Sequence, residues 1–153
     1  MKWGHPPIIK IYEALGAIAD GRIKVSGDTA KVYSSSGNKF YTVTYNPEKR
    51  AIMANDNGSY WKGYLGYPAI AFLFEIEALG FKQDMADLLK GLKWKDLNQR
   101  FKNDFDKTLT FIEESLSPNN KMALSAYAHR IEEDIKNLGL KLLGAKIAPP
   151  NGY

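Results

Sequence analysis

The residues of this 153-residue chain best suited to chemistry are basic and aromatic, and they interleave. Lys31 stands two positions from Tyr33, Lys39 precedes Phe40 and Tyr41, and Trp61-Lys62 is followed by Tyr64. Single-stranded nucleic acid is commonly held by such a mixture, with rings stacking on bases and cations tracking phosphates. Lys31, Tyr33, Lys39, Phe40, Trp61, Lys62 and Tyr64 are therefore the candidate nucleic-acid-binding residues. The competing account is structural, because strands are rich in aromatic side chains. If Tyr41, Val43 and Tyr45 turn to the core, Phe40, Thr42 and Thr44 face outward, and Lys31 and Tyr33 share a face opposite Ala30 and Val32.

Groups for catalysis are sparse. His5 and His129 share no motif, and the chain holds no HExxH, Walker A loop, GxSxG elbow or GxGxxG. The carboxylates cluster as Asp104/Asp106, Glu113/Glu114 and Glu132-Glu133-Asp134, between core positions of helical segments, as on solvated helix faces. Glu48-Lys49 follows Pro47 in a hairpin turn. Cysteine is absent, which removes disulfides, thiolate metal sites and a cysteine nucleophile. No metal site and no cofactor is expected, and nothing argues for catalysis. A metal-dependent nuclease would need carboxylates to converge from distant positions.

The elements that must position these residues are legible from periodicity. Ile8, Ile11, Tyr12, Leu15 and Ile18 share a helical face, which predicts a helix over about 7–19 with Gly21 as its cap. The period then changes to two. Strands are predicted at 22–25, 29–34, 39–45 and 51–53, separated by turns at Gly27-Asp28, Ser35–Asn38 and Asn46–Lys49. Tyr60–Tyr67 reads as irregular. Pro68 opens an apolar helix, ended by Gly80, whose composition predicts the central core helix. Further helices are expected at 83–91, at 95–116, and from Pro118 to about Leu138. Ser117 is the N-cap of that last helix, and Met122, Tyr127, Ile131 and Ile135 turn inward along it. Ala148–Tyr153 reads as a loose tail. The expected fold is α+β: an N-terminal helix, a small antiparallel meander of three to four strands, then about four helices. One domain is expected over 1–153, β-rich at about 22–80 and helical at about 81–145.

The net charge is +4, and it is uneven. Residues 1–62 carry nine Lys/Arg against five Asp/Glu, whereas residues 63–153 carry twelve of each. No apolar run approaches the roughly 20 residues of a membrane span, and the first residues lack the apolar region of a signal peptide. A cytoplasmic location without membrane association is expected.

The run Val32–Gly37, then Phe40–Val43, leads through a turn to Asn55–Ser59 and on to Gly63–Ala71. This succession resembles the SWIM domain over about residues 29–74. That module is a ββα zinc unit with a serine-glycine turn, a Tyr-x-Val, a CxC and a CxH that opens a helix. Met53 and Asn55 stand at the CxC positions, and Gly66 and Pro68 at the CxH positions. None is a zinc donor of the usual kind, so the resemblance implies a zinc-free version stabilised by packing. It also implies binding of DNA or of a protein, as in recombination or repair, rather than catalysis. The leading expectation is a non-catalytic nucleic-acid-binding accessory protein. The alternatives are a protein-interaction module or homodimer, with the 95–116 helix as docking element, and a metal-dependent nuclease.

Overall fold

Pro7 holds an extended backbone (φ −57°, ψ 146°) and releases the chain into α1 (Ile8–Ala19). The helix stops at Gly21, whose φ of +68° only glycine adopts freely. There the Gly21 N–H donates to the Ile18 carbonyl and the Arg22 N–H to the Ala17 carbonyl, the paired bonds of a left-handed cap. The computed structural model describes residues 1–150, so the last three residues of the expected tail lie outside the described residues.

Four strands follow as an antiparallel meander: β1 (Ile23–Ser26), β2 (Thr29–Tyr33), β3 (Phe40–Asn46) and β4 (Ala51–Ala54). A fifth, β5 (Lys141–Leu142), pairs parallel to β4 and completes a sheet of order β1-β2-β3-β4-β5. The register pairs Val32 with Tyr41 and Ala30 with Val43, all four buried. Lys31 with Thr42 and Tyr33 with Phe40 fall on the opposite face, as the alternation predicts.

Between β4 and the next helix, Gly58–Lys62 forms a π-helical turn closed by Gly63 at φ +72°, where the sequence reads as irregular. The helix α2 (Tyr67–Glu75) is buried from Pro68 to Phe74. It ends five residues before the expected Gly80, because Glu77 takes the left-handed conformation (φ +63°). The helical half comprises α3 (Gln83–Asp87), α4 (Trp94–Arg100), α5 (Phe105–Glu114) and α6 (Pro118–Leu138).

The single helix expected at 95–116 is thus two. Lys102 and Asn103 both have positive φ (52° and 60°), and the Asp104 side chain accepts from the Lys107 N–H to start α5 afresh. The apolar steps of three and four resume after the break, which hides it from periodicity. Met122, expected inward, is 72% exposed; Leu124, Tyr127, Ala128, Ile131 and Ile135 form the buried face of α6. Gly139 caps that helix at φ +56° as expected.

A single cluster of buried side chains runs from Val32 and Val43 of the sheet through α1 and α2 to Leu124 and Ile131 of α6. The helix α1 shares the central place with α2, since it packs on α2, α3, α5 and α6. Close approach to α4 needs Gly16: a Cβ there would sit 2.8 Å from Trp94 Nε1.

Candidate functional site

The β2–β3 turn, the start of α2 and the exposed side of α4 enclose a cavity of about 270 Å³. That is close to the lower end of the roughly 300–1,000 Å³ typical of small-molecule sites. Among the described residues, five cationic side chains line it (Lys10, Arg22, Lys39, Lys95 and Lys102) against two carboxylates, Glu13 and Asp56.

The serines of the turn shape one side. The Ser35 hydroxyl accepts from the Lys95 N–H at 2.9 Å, which fixes the start of α4 to the sheet. Ser34 and Ser36 hydroxyls lie 3.2 Å apart, and the turn is closed by Ser34 N–H to Lys39 O and Gly37 N–H to Ser34 O. Lys39 lies over the Tyr41 ring at 5.4 Å. Burial pushes the Lys39 ammonium below its ordinary value, and the like charge of Lys95 pushes it the same way. Both lysines line the same cavity. Arg22 donates from Nη1 to the Tyr33 carbonyl at 2.7 Å and lies 3.8 Å from Asp20. Its guanidinium stands 6.0 Å from the Tyr67 ring centre. Burial raises the Tyr67 phenol well above its usual range, so it stays neutral.

The floor is an ionic cluster projecting from α1. Lys10 Nζ meets Glu13 Oε1 at 3.0 Å, with both side chains largely buried. Burial works against the Lys10 charge, but Glu13, then Tyr64 and Asp56, hold its pKa above the usual lysine value. Asp56 is fully enclosed. Its carboxylate accepts from the Ser59 Oγ–H at 2.6 Å and the Ser59 N–H at 3.2 Å, and Ser59 Oγ accepts from the Gly66 N–H at 3.1 Å. Burial still raises the Asp56 pKa above the ordinary 3.8, although the Ser59 bonds and Lys10 oppose it. A Cβ at Gly66 would collide with Asp56 Oδ2, so the carboxylate leaves no room for a side chain there without shifting.

The seven residues singled out by sequence separate into three places. Lys31, Tyr33 and Phe40 meet on the outer sheet face. Their rings lie 5.7 Å apart, with Lys31 Nζ 5.0 Å from the Phe40 centre and Lys24 Nζ 5.5 Å from the Tyr33 centre. Lys39 turns to the other side and lines the cavity. Trp61, 70% exposed, and Lys62 project from the π-helical turn, with Tyr60 edge-on to Trp61. Tyr64 is half-buried, its ring against Gly58. Arg22, Lys95, Lys102 and the Lys10–Glu13 pair were not singled out. Only Lys10 and Glu13 leave a trace in the sequence, as charges within the apolar run of α1.

Of the four positions set against zinc ligands, Met53 is buried and the Asn55 amide accepts from the Thr42 N–H at 2.8 Å. Gly66 and Pro68 begin α2. Among the described residues, no three or more His, Cys, Asp or Glu side chains group as a metal site, and no helix is long and apolar enough to cross a membrane.

Fold and cavity together define an α+β protein with a basic, ligand-sized recess between its sheet and its helices. The chain belongs to the family described as Uncharacterised conserved protein UCP014422, whose family model matches residues 3–141. No curated protein matches the chain, and neither does any solved structure.

Proposed function

We propose that the protein binds a phosphate-bearing ligand, namely single-stranded nucleic acid or a nucleotide derived from it, without catalysing its turnover. The observation that carries this reading is the convergence of Lys39 and Lys95 on one cavity beside the Ser34–Ser36 turn. Charge-assisted hydrogen bonds from such cations are among the strongest that a phosphate can accept. The Lys24, Lys31, Tyr33 and Phe40 group on the outer face supports nucleic acid as the source, because cations and rings at such spacing suit backbone and bases. The cysteine-free composition favours a reducing compartment such as the cytoplasm.

The test is fluorescence anisotropy with labelled single- and double-stranded DNA and RNA across a salt series. Binding weakens as salt rises, with a slope of about −0.7 per neutralised phosphate on a single strand. Lys95→Glu and Lys31→Glu each weaken it. Salt-independent binding, or binding unchanged in both variants, contradicts the reading.

A further inference from the structure

The seven residues of α4 fall short of the roughly 12–15 below which an isolated helix is marginal in water. Packing must therefore hold it, and that packing is slight. Trp94 and Leu97 are its buried residues, against eight in α1 and five in α6. Left-handed residues flank it. Gly91 precedes it at φ 82°, its N–H donating to Asp20 Oδ1 at 2.8 Å. Lys102 and Asn103 follow at φ 52° and 60°, where a side chain makes that conformation costly. The N-cap residue Lys93 supplies no side-chain bond. The Lys95 N–H is instead taken by the Ser35 hydroxyl of the β2–β3 turn, at 2.9 Å. The docked helix thus depends on a cap that another element provides.

Docking also leaves polar atoms unpaired. Among the described residues, three buried side-chain atoms lack a hydrogen-bond partner: Arg22 Nε, Trp94 Nε1 and Asn98 Oδ1. Two of them are on α4, and all three residues line the cavity. Trp94 Nε1 lies against α1 at Gly16. Water satisfies such atoms once the helix lifts, so they oppose docking, as the left-handed residues do. Burial of Trp94 and Leu97 favours it. The balance makes release of α4 a minor state of the folded protein rather than part of its global unfolding.

We propose that α4 gates the cavity. Residues 92–101 leave the turn and the core as one unit, between Gly91 and Lys102–Asn103, while the rest of the fold stays intact. Trp94, Lys95, Asn98 and Gln99 line the cavity, so their departure opens that wall to solvent. A ligand that touches these side chains binds the docked state alone and draws the helix back. The opening does not depend on which ligand the cavity takes; the closing rests on the phosphate-binding reading above.

Hydrogen exchange of the whole chain, read by mass spectrometry with and without a nucleoside monophosphate, tests the two parts separately. Without it, the amides of α4 are protected at least about ten-fold less than those of α1 and α6. Their opening exposes little surface and so responds weakly to urea. Ser35→Ala speeds α4 exchange by about two- to ten-fold, the worth of one hydrogen bond. It leaves α1 and α6 unchanged, which also shows that the variant is folded. Protection of α4 equal to that of α1 and α6, lost only with global unfolding, overturns the gate. Unaltered α4 exchange in Ser35→Ala overturns the capping role of the turn. A monophosphate that binds by calorimetry slows α4 exchange as its occupancy rises; binding without that slowing overturns closure by ligand. A monophosphate that does not bind counts against the phosphate-binding reading, and the exchange measured without it still decides the gate.

Discussion

Replacing Gly66 by alanine tests whether the Asp56 clamp holds the cavity floor in place. The backbone at Gly66 (φ −77°, ψ 170°) is open to any residue, so a methyl group there causes no backbone strain. Its whole effect is collision with Asp56 Oδ2. The carboxylate must withdraw, which breaks its bond from the Ser59 N–H, disturbs that from the Ser59 hydroxyl and frees the Gly66 N–H from Ser59 Oγ. Each buried group left without a partner costs about 1–3 kcal/mol, and breaking a buried charged network costs about 3–5 kcal/mol. The expected loss is therefore about 3–5 kcal/mol, read as a lower urea midpoint at unchanged slope. At about 2–4 °C per kcal/mol for a chain of this size, melting falls by about 10 °C. Gly80→Ala is the control, since its Cβ meets nothing within 4 Å; it stays within about 1 kcal/mol of the parent. The double variant Asp56→Ala/Gly66→Ala costs at least about 1 kcal/mol less than the two single changes combined, because the collision is gone. A Gly66→Ala protein within about 1 kcal/mol of the parent, or strict additivity with Asp56→Ala, refutes the clamp.

Two further outcomes follow from the same site. The Asp56 carboxyl has a folded pKa raised above 3.8, so the folded state keeps a proton that the unfolded state gives up. Its contribution is therefore present below about pH 4 and lost as pH rises through the folded value. Urea midpoints taken from about pH 4 to about pH 7 fall with this component, and Asp56→Asn removes it; an identical pH profile in the variant contradicts the assignment. Lys102 holds φ 52° while lining the cavity mouth, a conformation that costs a side-chain-bearing residue about 1–2 kcal/mol. Lys102→Gly raises stability by up to about 1 kcal/mol and weakens binding of the phosphate ligand; a loss of stability shows that no strain is stored there.

What the sequence made legible was periodic or punctuated. The start and stop of α1, the three meander turns, the outward pairing of Lys31 and Tyr33 and the Ser117 cap all rest on local rules, and each appears in the fold. The break between α4 and α5 escaped because two ordinary residues, Lys102 and Asn103, adopt a backbone that glycine normally marks. Met122 was misplaced because inward and outward faces of a long helix differ by a single step of the repeat, and burial is decided by the partner surface. The cavity was illegible for a different reason. Its cations come from α1, the segment before β1, the β2–β3 turn, α4 and the α4–α5 break, and only tertiary packing brings them together. The uneven charge along the chain pointed to the first half, yet Lys95 and Lys102 belong to the second.

Residues 1–3 and 140–143 converge on β4. Lys141 donates to Arg50 and Leu143 to Ile52, while Leu142 donates to Met1 and Trp3 to Leu140. Trp3 Nε1–H also reaches the Ile52 carbonyl at 2.8 Å. All four residues of β4 are buried, so until residue 141 emerges from synthesis this strand presents an apolar edge with no partner. Residues 1–3 and 140–143 thus form a latch over the same strand. A nascent or truncated chain lacking residues 140–143 exposes an edge open to pairing with another copy.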